Sequence, residues 1–184
     1  MATDAPAATQ AILHFWFDNV GPDRWWTRSA VTDDAIRTRF LPLWEEWRTL
    51  PPDGFLASGE TALAAILLFD QFPRNMFRGD ARAFATDGLA LAIADGAVAR
   101  GLDRTMPPDA RSFLYMPFMH AEDLAMQDRC VALFEVLGLP ESTDYARKHR
   151  AIIARHGRFP ARNAALGRAT RPDEQEAIAA SQDW

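Results

Sequence analysis

The run Ala62-Leu63-Ala64-Ala65-Ile66-Leu67-Leu68-Phe69 is apolar at every position. A helix apolar all round must be covered on all sides, so this segment reads as the centre of a core. The chain then delivers Asp70, Gln71, Arg74, Asn75 and Arg78 around Phe72, Pro73, Met76 and Phe77. Read as helix, Asp70 shares a face with Leu63, Ile66 and Leu67. A carboxylate there is desolvated and lies at the negative end of its helix, so it needs a partner. Arg74 and Arg78 are close in sequence. Two readings stand for this turn: a structural ion pair that fixes the chain after the helix, or part of a ligand site.

The remaining segments are helical in period. Asp4 and Pro6 begin a first helix that reaches Phe15-Trp16-Phe17 and breaks at Gly21-Pro22. Thr32 caps a second, with Ile36, Phe40, Leu43, Trp44 and Trp47 as its stripe, and Pro42 predicts a kink or early break. Ser58 or Glu60 opens a third that Pro73 should end. Asp87 caps a fourth, terminated by Gly101, and a fifth runs from Pro107-Pro108 to Pro117. The sixth spans about Ala121 to Leu137, with Met126, Cys130, Leu133, Phe134 and Leu137 inward and Gly138 closing it. The seventh runs from Ser142 to His156, before Gly157. Thr170, Pro172, Asp173 and Glu174 announce an eighth. No alternating strand with hairpin chemistry appears, so the fold class is all-α, with about eight helices. Short loops favour antiparallel pairs, and at 184 residues the chain reads as one domain, residues 1–184.

Charge bounds the partners. A pI of 5.3 with no recognition motif argues against nucleic acid. The balance is uneven: from Pro140 to Arg171 there are eight Arg or Lys against Glu141 and Asp144. Pairing with the acidic remainder, or an anionic ligand, accounts for that excess. The segment Met1 to Pro6 has no basic stretch followed by an apolar one, and no later run reaches membrane-span length, so no membrane is expected and a cytoplasmic location is. The single cysteine, Cys130, forms no internal disulfide and reads as a small core residue. Trp25 and Trp26, like Phe15 to Phe17, read as packing residues.

Two further clusters carry polar chemistry. His120, Glu122 and Asp123 follow the apolar Pro117-Phe118-Met119, and both acids suit a first helical turn on dipole grounds. A metal would need a third ligand beside His120 and Asp123, and no dense ligand motif supplies one, so no metal is expected. Tyr145, His149, Ile152 and His156 form one stripe on the seventh helix. His149 and His156 lie about 10 Å apart along the axis and cannot share an ion. Arg158, Arg162 and Asn163 follow, planar donors suited to carboxylate or phosphate. The turn Arg158-Phe159-Pro160-Ala161-Arg162-Asn163 echoes Gln71-Phe72-Pro73-Arg74-Asn75. No Walker loop, dinucleotide fingerprint, nucleophile elbow or paired-cysteine motif is present, and no cofactor is expected.

Taken together, Phe15-Trp16-Phe17, Leu68 to Asn75 with Phe77-Arg78, Ala83 to Asp87, Leu114 to Phe118 with His120 and Glu122 to Leu124, and His149-Arg150 with Gly157 to Pro160, Arg162-Asn163 and Leu166 to Arg168 form a specific set. By these residues the chain resembles a bacterial family designated domain of unknown function 924, over nearly its whole length. The resemblance implies a tetratricopeptide-like helical fold and a set of polar residues, and no activity. The chain departs from the family pattern at Ala121, where serine is usual, at Ala161, where histidine is usual, and at His156, where phenylalanine is common. Any mechanism needing a hydroxyl or imidazole at those two alanines is weakened.

The expectation for function is a pocket where the ends of the third, sixth and seventh helices converge. Asp70, Arg74, Asn75, Arg78, His120, Glu122, Asp123, His149, Arg158, Arg162 and Asn163 would line it, binding a small anionic metabolite or an acidic peptide terminus. Two alternatives stand beside it: an acid/base or metal-assisted hydrolase using His120 or His149 with Asp123, and a purely structural or protein-interaction role.

Overall fold

In the computed structural model, which describes residues 5–180, the chain is all-α; no strand occurs among the described residues. Its helices are α1 (Ala5–His14), α2 (Pro22–Trp25), α3 (Ala30–Trp47), α4 (Gly59–Ile66), α5 (Phe72–Met76), α6 (Asp87–Ala99), α7 (Pro108–His120), α8 (Leu124–Leu137), α9 (Pro140–His156) and α10 (Gln175–Ala180). Two π turns, Phe15–Val20 and Leu67–Gln71, extend α1 and join α4 to α5. The Asp4 start expected for the first helix lies outside the described residues. Among these, no helix is long and apolar enough to cross a membrane.

The apolar run sits where its composition requires. Every residue from Ala62 to Phe69 is buried, because α4 is covered by α1, α6 and α7. Consecutive α7, α8 and α9 pack as neighbours, as short connections favour. Phe72 is an aromatic hub, with ring centroids 4.9 Å from Phe40, 5.7 Å from Trp16 and 6.1 Å from Phe15. The α3 stripe is buried as expected, and so is Cys130, whose burial pushes its thiol up to about 12. Trp26 is not core: it is 66% exposed and lies flat over Phe113.

Several boundaries differ from the sequence expectation, each for a physical reason. Ser29, not Thr32, caps α3, its side chain accepting from the Thr32 amide. Pro42 does not end α3, since Pro42 and Thr38 are both exposed and water can serve the carbonyl that proline leaves bare. Pro117 does not end α7 either. Buried Gln127 donates to the carbonyls of Met119 at 2.6 Å and Ala121 at 2.8 Å, so the last turn closes after His120. Asp123 is therefore the cap of α8, with Glu122 outside that helix rather than in its first turn. The ninth helix starts at Pro140, and the expected eighth is a 3-10 turn, Pro172–Glu174, running into α10.

The most consequential difference is at Pro73, which does not terminate its helix. The π turn shifts the register so that the Phe72 amide donates to Leu67 O, and Pro73 enters α5 in its first turn. Proline cannot donate to Phe69 O, which lies four residues back. Thr86 supplies that bond instead: its hydroxyl donates to Phe69 O at 2.6 Å and accepts from Trp44 Nε1 at 3.2 Å. The next two carbonyls are also met by side chains, Asp70 O by Arg74 Nη1 at 2.5 Å and Gln71 O by Asn75 Nδ2 at 3.0 Å. The Thr86 hydroxyl thus replaces the donor that Pro73 lacks, and Arg74 and Asn75 add side-chain bonds to the two carbonyls that follow.

Thr86→Val keeps the shape but strands a buried carbonyl and a buried indole N–H. Unmade buried bonds cost about 1–3 kcal/mol each, so a loss of about 2–4 kcal/mol is expected in chemical denaturation, against less than about 1 kcal/mol for Thr86→Ser.

Candidate functional site

Asp70 enters the core on the π turn, with no exposed surface. It does not sit at a helix end, as the sequence suggested, because the chain continues helically into α5. Its carboxylate accepts from Gln71 Nε2 at 2.6 Å and from His120 Nδ1, which lies 2.7 Å from Oδ1 and 3.0 Å from Oδ2. Arg74 Nη1 approaches Oδ1 at 3.2 Å. One buried carboxylate therefore links α5 to the last turn of α7.

Arg74 also makes a two-pronged pair with Asp87, Nη1 to Oδ1 and Nη2 to Oδ2 both at 3.0 Å. Arg162 reaches the same carboxylate at 3.2 Å through Nη1 and donates from Nη2 to His120 O at 2.9 Å. The two echoing turns thus meet on Asp87. Arg162 is held over the Phe84 ring at 4.7 Å and the Phe159 ring at 4.6 Å. The His149 ring lies 6.4 Å from that of His120 and 5.5 Å from Phe159, and its Nδ1 donates to Tyr145 O at 2.9 Å.

Charge states follow from these contacts. Burial raises the Asp70 pKa, but the Arg74 charge, His120 and the Gln71 hydrogen bond outweigh it and hold the carboxyl well below the usual carboxylate range. Burial and the Arg74 charge lower His120, against the pull of Asp70. The imidazole is then neutral at pH 7, with its proton on Nδ1 facing Asp70 and a lone pair on Nε2. Desolvation lowers His149 to about 3. It also lowers Arg162 to about 10, helped by the neighbouring Arg74 and opposed by Asp87 and Glu122. Arg74 moves the other way, because Asp70 and Asp87 outweigh its burial.

Of the residues singled out in the sequence, Asp70, Arg74, His120, His149 and Arg162 form this cluster. The others are engaged around it. Arg78 pairs with Asp33 at 2.6 Å and 2.8 Å and donates to Asn75 Oδ1 at 2.9 Å, fastening α5 to the start of α3. Glu122 pairs with Arg168 at 2.9 Å and 2.8 Å and accepts from the Phe159 amide at 2.8 Å. Arg158 and Asn163 both bind Glu174, which has no exposed surface. Asp123 caps α8 through the Met126 amide, so the carboxylate partner of His120 is Asp70. The basic excess of the last third is met largely by internal acids, Arg147 with Glu135, Arg150 with Asp128 and Arg171 with Glu174 among them.

Sequence reasoning missed Asp87, Phe84 and Phe159. Asp87 reads locally as a helix cap, but Thr86 holds that position and the Asp87 carboxylate turns to the arginines. The signal was the compact Ala83-Phe84-Ala85-Thr86-Asp87 segment, whose partners lie far along the chain. Among the described residues no group of three or more His, Cys, Asp or Glu side chains is arranged to hold a metal ion. Two open surface depressions, one along α1 and its π turn and one at the α8–α9 junction, include no residue of the cluster.

The comparisons with known proteins agree with this architecture. The model of a family described as bacterial protein of unknown function, DUF924, matches residues 12–182, so the chain belongs to that family. A solved structure of a protein of unknown function from Agrobacterium tumefaciens is similar at 42% identity, with a TM-score of 0.90 over 97% of this chain and 100% of that one. No curated protein is significantly similar to the chain.

Acid should loosen the cluster in a defined window. His149 binds its proton near 6.5 when unfolded and near 3 when folded, so the unfolded state holds more protons between those values and stability falls as pH drops through them. His149→Gln removes that contribution. Its urea midpoint should vary less than that of the parent between pH 6.5 and pH 3, a difference read from paired denaturation series at several pH values.

Proposed function

We propose that the cluster binds a small anion, a carboxylate or phosphate, with Arg162 as the principal donor. The observation that carries this reading is the state of Arg162. Its side chain is only 12% exposed, and its guanidinium shares Asp87 with a second arginine and is less favourably charged than a guanidinium in water. A cation in that condition gains from an incoming anion. Its Nε–H donates to no described residue, which leaves donor capacity for a ligand. The aromatic rings of Phe84 and Phe159 fix the guanidinium plane and lower the cost of ordering it.

The Asp70–His120 pair supports a second reading, general-base chemistry on the bound group. A carboxylate that orients an imidazole through Nδ1 leaves Nε2 able to accept a proton. Binding comes first in either case.

The test is titration with inorganic phosphate and with acetate, followed by calorimetry and thermal unfolding. Ligand at a hundred times its Kd stabilises by about 2.7 kcal/mol. Arg162→Met should abolish the response to both anions, whereas Arg78→Met, which breaks the pair with Asp33, should leave it intact. An equal response from the Arg162→Met protein would contradict the assignment.

A further inference from the structure

We infer that the chain after α9, residues 157–180, is a hinged strap that carries Arg162 on and off the cluster, so that the anion enters with the strap raised and is held when it returns. The inference rests on the small-anion reading of Arg162 and adds how that site is opened and closed.

The cluster is covered. Asp70 has no exposed surface, and the side chains of His120 and Arg162 each keep only 12% of theirs. Cover of that extent has to move before an anion reaches the buried donors. Part of the cover is the strap itself, because Phe159 lies 5.5 Å from the His149 ring and Arg162 lies over Phe84.

The strap is built as one body. Glu174, with no exposed surface, accepts from Arg158 at 2.7 Å and 2.9 Å, from Asn163 at 2.9 Å and from the Arg171 amide at 2.8 Å. Helix α10 packs on both 3-10 turns of this stretch, Pro160–Arg162 and Pro172–Glu174. The body joins α9 at Gly157, which has φ 70° and no neighbour within 4 Å of a Cβ built there. Bonds beside that joint tie the strap to the end of α9: Arg171 Nη2 donates to His156 O at 2.5 Å and Asp173 faces His156 at 3.3 Å.

Its far edge is held to the helical body by exchangeable polar contacts. Glu122 accepts from the Phe159 amide at 2.8 Å and pairs with Arg168 at 2.9 Å and 2.8 Å, while Arg162 meets Asp87 at 3.2 Å and His120 O at 2.9 Å. The Glu122 and Arg168 side chains are partly exposed, so water can take the place of these bonds as the edge lifts. Burial of Phe159 favours the closed position. A bridging anion adds to the closed position alone, since only there do Arg162 and the cluster face it together. Hinged bodies of this kind open below the free energy of global unfolding.

Hydrogen exchange of bonded backbone amides, read by nuclear magnetic resonance with inorganic phosphate as the probe, tests the inference. In the unaltered protein the amides of Phe159, Asn163 and Arg168, bonded to Glu122, Pro160 O and Asn163 O, should share one protection factor, at least about tenfold below those of α4 and α7. Glu122→Ala should lower all three by about tenfold and leave α4 and α7 unchanged, and Arg168→Met should act in the same direction. Saturating phosphate should raise all three in the unaltered protein. Protection of the three equal to that of α4 and α7 overturns the inference. So does a response to Glu122→Ala confined to the Phe159 amide, or one spread equally over the whole chain in both variants. Calorimetric binding of phosphate that leaves the three amides unchanged overturns it while the small-anion reading stands. Absence of phosphate binding defeats that reading, and this inference with it.

Discussion

The structure depends on one buried carboxylate. Asp70 follows eight apolar residues into the core and arrives with no exposed surface. An ion in that position is tolerated only when its charge and lone pairs are matched, and the matching groups come from three directions: Gln71 beside it, Arg74 one turn on, and His120 fifty residues away. Through Arg74 the charge is relayed to Asp87, and through Asp87 to Arg162. The two acids and two arginines balance. Helices α5, α6 and α7 and the turn after α9 are therefore held by a single electrostatic unit embedded in apolar packing. Truncating one member leaves the others buried and uncompensated, so this unit specifies the arrangement of these elements as well as supporting it.

The same stretch solves a backbone problem. Pro73 follows a π turn and has no N–H for the Phe69 carbonyl, which the Thr86 hydroxyl meets instead, while the Arg74 and Asn75 side chains donate to the carbonyls of Asp70 and Gln71. A π turn in mid-helix often accompanies a functional position, and here it is the device that aims Asp70 at His120. The chain after α9 is secured in the same manner. Glu174 gathers Arg158, Arg171 and Asn163, and Glu122 gathers Arg168 and the Phe159 amide. That fastening holds Arg162 against Asp87.

Much of this was legible in the sequence. Periodicity gave the all-α class, and the left-handed glycines at 101, 138 and 157 end helices where expected. The apolar run announced its own burial and the need of Asp70 for a partner, and the echo of the two Phe-Pro turns brought Arg74 and Arg162 into one hypothesis. What could not be read were the non-local replacements. A proline ends a helix on local grounds, whereas here a π turn sets it in the first turn of α5 and a threonine thirteen residues further on meets the carbonyl it leaves bare. Asp87 looked like a cap because its true partners stand 13 and 75 residues away. Asn75, Arg78, Arg158, Asn163, Glu122 and Asp123 have the same side-chain chemistry as the cluster, yet they are engaged in fastening its frame. Residue type alone does not separate the two roles.

The central claim is that Asp70 fixes the His120 imidazole with its proton on Nδ1 and its lone pair on Nε2. Nitrogen-15 chemical shifts of the imidazole, recorded in the folded protein at pH 7, report that arrangement directly. The account predicts a neutral ring with a protonated Nδ1 and an unprotonated Nε2, and loss of that preference in Asp70→Asn. A ring protonated on Nε2, or on both nitrogens, at that pH would contradict it.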